Sequence, residues 1–137
     1  METTMTGMPT EIVLLGWGVV LLLVQLVLYV VPEVLELGAP YALGPRDERR
    51  ESKNVVTRRL ERGFRNMLET FPAFAAVALA LAVTGKTGGL GATGAHLWFW
   101  ARVVYVPIYA FGIPGLRTAV WTVSVIGIVL MLIALLG

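Results

Sequence analysis

The sequence predicts an all-α fold, an integral membrane four-helix bundle formed by residues 1–137 as one domain. Composition is the first sign. Of 137 residues, 57% are hydrophobic and only 15% are charged, and mean hydropathy is +0.78. Those values fit a membrane protein far better than a soluble domain. The second sign is four apolar stretches separated by turn sequences. The third is a set of ionisable side chains at helical spacing inside two of those stretches. An ionised group at bilayer depth costs at least ~2.5 kcal/mol, so it normally faces a bundle interior and marks function.

Met1–Thr10 is short and polar, without the basic region and small-residue cleavage site of a signal peptide. Ile12–Val31 gives twenty nearly uninterrupted apolar residues, enough at a helical rise of about 1.5 Å for a bilayer core of ~30 Å. Gln25 is its one strongly polar member, and Pro32 is expected to end it. Pro32–Arg59 mixes proline, glycine and charge and reads as a loop.

The second span, 62–84, is unusual. Its purely apolar part, Phe71–Val83, covers only about 20 Å. Extension forwards meets the turn Thr84-Gly85-Lys86-Thr87-Gly88-Gly89, so the helix must extend backwards through Glu69, Asn66 and Arg65. Pro72 is a possible kink. The third span, 90–111, holds Arg102 near its middle and Pro107 a turn later. Gly112-Ile113-Pro114-Gly115 reads as a tight turn before the fourth span, 116–136.

Net charge is +2, yet eight of the eleven Lys and Arg residues fall between Arg46 and Arg65. By the positive-inside rule, the first and third loops face the cytoplasm and both termini lie outside. Asp47, Glu48, Glu51 and Glu61 share that basic segment, which argues against a nucleic-acid partner. Without cysteine there is no disulfide and no protein thiol, and one histidine leaves no expectation of a metal site.

Arg62, Asn66 and Glu69 stand at i, i+4 and i+7 on one helix face. They could satisfy one another between helices as a purely structural network, and for Glu69 the two readings are even. Arg58 and Arg59, nearer the loop, read as interfacial anchors. Arg102, Tyr105 and Tyr109 share another face, with Trp98 a turn before. Aromatic residues at such spacing are usually packing. In line with an intramembrane arginine, however, tyrosine hydroxyls and a guanidinium fork could hold a small anion. Arg117, beside Thr118, opens the fourth span. A cation at a helix N-terminus is unfavourable unless an anion sits there; an anchor for the membrane surface is the simpler reading. His96 reads as interfacial, and Trp17, Trp98, Trp100 and Trp121 as belt or packing residues.

These residues carry a resemblance. Arg62-Gly-Phe-Arg-Asn66-Met-Leu-Glu69-Thr-Phe-Pro72 resembles the second-helix signature of the MAPEG family, membrane-associated proteins in eicosanoid and glutathione metabolism. Arg102-Val-Val-Tyr105-Val-Pro-Ile-Tyr109, with Arg117 eight residues on, resembles the third- and fourth-helix motif. The resemblance implies a homotrimer with glutathione as co-substrate, bound between neighbours at the cytoplasmic side. By position it implies that Arg62, Asn66, Glu69, Arg102, Tyr105 and Tyr109 contact glutathione and that Arg117 stabilises its thiolate. Two departures stand out. The stretch from Leu28 to Val34 lacks the basic residue that the eicosanoid enzymes carry, and Gly63 stands where alanine is usual. The short loops resemble a bacterial, inner-membrane member.

The leading expectation is therefore a microsomal-type glutathione transferase or peroxidase acting on a lipophilic small molecule drawn from membrane lipid. A non-catalytic lipid-binding or scaffold protein of the same fold is the alternative. A small multidrug transporter ranks lower, because it needs a carboxylate in the first span, where only Gln25 is polar.

Overall fold

The computed structural model describes residues 7–48 and 50–137. Its helices are α1 (Thr10–Leu37), α2 (Ala39–Leu43), α3 (Val55–Val83), α4 (Gly89–Ala110) and α5 (Pro114–Leu136), and no strand element is formed among the described residues. Three of them, α1, α3 and α5, are long and apolar enough to cross a membrane. The fourth long helix, α4, has 22 residues, half of them buried. It packs against α1, α3 and α5. Shielded on several sides, it can bury Arg102 and Tyr105, which an outward helix of this length could not. The other long helices turn large apolar side chains outwards, such as Trp17, Leu23 and Val27 on α1.

Two boundaries differ from the sequence expectation. Pro32 does not end α1, which continues to Leu37. A proline removes one backbone donor, leaving the Leu28 carbonyl without its partner, but later residues can resume the helix. The stop is Gly38, with φ 93° and its N–H donated to the Val34 carbonyl. The second long helix starts seven residues before Arg62, at Val55. Asn54 caps it, its Oδ1 accepting from Val56 and Thr57 N–H at 2.9 and 3.2 Å. The intervening loop is tied down by Glu36, which accepts from Ser52 Oγ and Lys53 N–H, both at 2.6 Å.

In lipid, apolar burial drives helix association weakly, so close packing must do it. The core shows how. The Trp98 indole stacks on Phe74 with ring centroids 3.8 Å apart. Gly18 makes room for it: a Cβ there would lie 3.1 Å from Trp98 and 3.3 Å from Phe71. Between α4 and α5, Gly94 and Gly127 bring the two backbones together; a Cβ on Gly127 would lie 2.7 Å from the Trp98 nitrogen.

The Gly88 end of the molecule is closed by charges the sequence reading passed over. Glu11 is fully buried and accepts from Gly88 N–H at 2.8 Å, placing a carboxylate at the N-terminus of α4. Lys86 Nζ donates to the Leu135 carbonyl at 2.8 Å, placing a cation at the C-terminus of α5. Each sign complements its helix dipole.

Candidate functional site

At the opposite end, the start of α3, the end of α4 and the start of α5 converge. Arg102 projects from α4 and is only 1% exposed. Its Nη1 donates to Asn66 Oδ1 on α3 at 2.9 Å, and its Cζ lies 4.2 Å from the Tyr105 ring centre. The remaining donors, Nε and Nη2, are buried without an acceptor among the described residues. Burying a guanidinium is costly, and two orphaned donors add to that cost unless a further acceptor arrives.

Tyr105, itself buried, meets Tyr109 edge-on at 5.5 Å between ring centres. Over Tyr109 lies Arg117, its Cζ 4.9 Å from the ring centre. The cation that opens α5 is therefore folded inwards over an aromatic face and is half-buried. Asn66, Tyr105, Tyr109, Arg117, Thr118 and Trp121 line one cavity of about 210 Å³. Tyr109 and Arg117 also border a second, of about 170 Å³, whose other cations are Arg59 and Arg62.

The structure thus brings Asn66, Tyr105, Tyr109 and Arg117 around one space, with Arg102 behind them and Arg62 in the adjoining cavity. Glu69 stands apart. It is exposed on α3, and no cation lies within 4 Å of it among the described residues. Arg65 pairs with Glu61 at 2.7 Å instead of entering the site. His96 accepts from Trp100 Nε1 at 3.3 Å on the exposed side of α4.

Two contributors escaped the sequence reading. Arg59 does not simply anchor the loop: its Nη1 donates to the Ala110 carbonyl at 3.4 Å, at the C-terminus of α4. There it lies against Gly112, where a Cβ would come within 2.7 Å of the guanidinium carbon. Trp121, read as a belt or packing residue, walls the cavity. Only the position of Arg59 three residues before Arg62, on the same helix face, hinted at its role.

Cations dominate the region, with Glu69 an acidic group whose field reaches Arg102 and Tyr105. Among the described residues, Arg59, Arg62, Arg102 and Arg117 have no carboxylate within 4 Å. Like charges gathered without counter-ions repel one another, and an anion entering between them is attracted most strongly where water is scarce. The donor set consists of guanidinium forks, a tyrosine pair and an amide, which suits carboxylates and a thiolate.

An all-helical protein with three helices long and apolar enough to cross a membrane is an integral membrane protein, here with a cavity bordered by cations at one end. Residues 14–137 match the MAPEG family, and the chain belongs to that family. No curated protein and no solved structure is similar enough to give a match.

Proposed function

We propose that this protein is a glutathione-dependent transferase or peroxidase acting on a lipophilic electrophile. The observation that carries the reading is the pair of orphaned Arg102 donors behind a cavity bordered by Arg117 and two tyrosines. In a member of the MAPEG family, the tripeptide is the anion whose chemistry matches that donor set. Arg62 and Arg102 hold its carboxylates, Asn66, Tyr105 and Tyr109 orient its backbone, and Arg117 faces its sulfur. In the transferase reaction the thiolate attacks an electrophilic carbon. A C–S bond forms, and the leaving group departs with its electron pair.

Each cavity lies below the ~300 Å³ at which small-molecule pockets usually begin. We therefore assign the missing wall to a second copy, in a homotrimer. Arg62, Glu69, Ala76 and Val83 fall seven residues apart and are all exposed on α3. They form a stripe that a neighbouring copy would cover, giving Glu69 a partner. In the membrane all four long helices cross, α4 shielded by the others. Both termini lie outside, and the Arg117 end faces the cytoplasm, where glutathione is supplied.

Calorimetric titration of the detergent-solubilised protein with glutathione, read together with ultraviolet thiolate absorbance, tests this. Saturable binding with a thiolate signal at neutral pH is expected. Saturable binding without that signal would favour a non-catalytic lipid-binding or scaffold role.

A further inference from the structure

Gln25 is the single strongly polar residue of the apolar stretch in α1, and it is 3% exposed. Its Oε1 is buried and accepts no hydrogen bond among the described residues. An amide in such a place demands a donor. Two independent alignments of helices show which donor stands at its depth.

The first is between α1 and α4, which run in parallel. Glu11 meets Gly88 and Gly91, and Gly18 meets Trp98. Glu11, Gly18 and Gln25 are seven residues apart, so they share one face of α1, and all three are buried. Seven residues beyond Gly18 and Trp98, Gln25 is level with Tyr105, within a turn of Arg102. The second alignment is between α1 and α3, which run antiparallel. Gly18 meets Phe71, and the Tyr29 ring lies 5.4 Å from that of Phe64. Between those contacts, Gln25 falls level with Asn66 and Met67. Asn66 is the residue that holds Arg102.

An orphaned acceptor and two orphaned guanidinium donors thus occupy one layer of the core. We infer that Gln25 is a positioning residue for Arg102, accepting from its Nε–H, directly or through one water, and leaving Nη2 for a ligand. Its neutrality matters. An amide satisfies a donor while leaving the full positive charge for a ligand, whereas a carboxylate would cancel that charge. In Asn66 and Gln25 the guanidinium has two amide acceptors, from two helices, and no carboxylate. In this arrangement the cation has a fixed orientation with no carboxylate within 4 Å of it among the described residues.

The ligand arm of the test rests on the proposed glutathione reading; the spectroscopic arm does not. With arginine labelled by ¹⁵N, the Arg102 Nε–H resonance is assigned through Arg102→Lys. Gln25→Met, close in shape but without an acceptor, should shift this resonance and speed its exchange with solvent. Gln25→Glu should preserve slow exchange with a further shift, because the carboxylate accepts more strongly. In calorimetry, Gln25→Met should weaken glutathione binding about tenfold, the effect of one lost hydrogen bond on a charged group. Gln25→Glu should weaken it more, although it keeps the resonance protected. An Arg102 resonance unchanged in both variants would overturn the inference. If wild type binds no glutathione, the functional reading fails, and the resonance comparison still decides the role of Gln25.

Discussion

At the Gly88 end of the molecule, the Glu11 carboxylate caps α4, Lys86 caps α5, and Gly94 and Gly127 let two backbones touch. At the Arg117 end, four arginines stand without carboxylates, Arg102 keeps two unused donors, and the helices part around two cavities. The same helices build both ends. One sets a carboxylate and an ammonium against complementary helix ends and closes on small residues, although Glu11 Oε1 keeps no partner among the described residues; the other leaves cations unmatched and space unfilled. The contrast supports the proposed site at the Arg117 end. Stability favours the arrangement at the Gly88 end, so the unpaired state at the Arg117 end persists only if a ligand or a second copy completes it.

The largest effect expected from breaking this contrast is at the closed end. Gly127→Val forces a side chain against the α4 backbone and should cost about 3 kcal/mol, the upper part of the overpacking range. A thermal melt in detergent measures it; melting like wild type would mean that the Gly88 end is not tightly closed. At the open end, Arg117→Ala should leave glutathione bound but remove its thiolate signal. A free thiol has a pKa of about 8.5, and lowering it by roughly two units requires ~2.7 kcal/mol of preferential thiolate stabilisation. A half-buried guanidinium can supply that amount where an exposed one cannot. Persistence of the absorbance in the variant would assign the role to another cation.

Glu69→Gln comes next. Because Glu69 is exposed and has no cation within 4 Å among the described residues, the loss should be confined to the assembled oligomer. It should amount to about 1 kcal/mol, the scale of a solvent-accessible pair. Native mass spectrometry across a dilution series should show the oligomer dissociating earlier than wild type; an identical distribution would mean that Glu69 is simply solvated. The smallest effect has the opposite sign. A Cβ on Gly63 would lie 3.8 Å from Tyr109, an ordinary contact. Gly63→Ala should therefore stabilise α3 by about 0.5–1 kcal/mol, the helix-propensity difference. A lowered melting temperature would show that Tyr109 needs the space.

The sequence made much of this legible, because helical spacing is a local property. Asn66, Arg102, Tyr105 and Tyr109 could be grouped by face before any packing was known, and the turns at 84–89 and 112–115 announce themselves through glycine and proline. Helix ends were read less well. Pro32 looked like a stop, yet Gly38, with its left-handed backbone, is the one that α1 uses. Asn54 lay hidden as a cap among other polar loop residues. Contacts between helices were beyond sequence reasoning: the bond from Glu11 to Gly88, the reach of Arg59 to Ala110 and the outward facing of Glu69 all depend on how helices rotate against one another. No periodicity within a single helix encodes that rotation.

The clamp made by Glu36 has a consequence for how this chain can change. By gripping Ser52 and Lys53, it fixes where α3 begins, independently of the path that leads there from α2. The segment ahead of the clamp is a detour whose length does not set the position of the arginines that follow. Extra residues placed between Asp47 and Glu48 should therefore be tolerated, making that point a natural entry for a purification tag or a reporter. The same insertion placed after Lys53 would displace the Asn54 cap and rotate Arg59 and Arg62 away from the cavity. Length is free on one side of Glu36's grip and forbidden a few residues later.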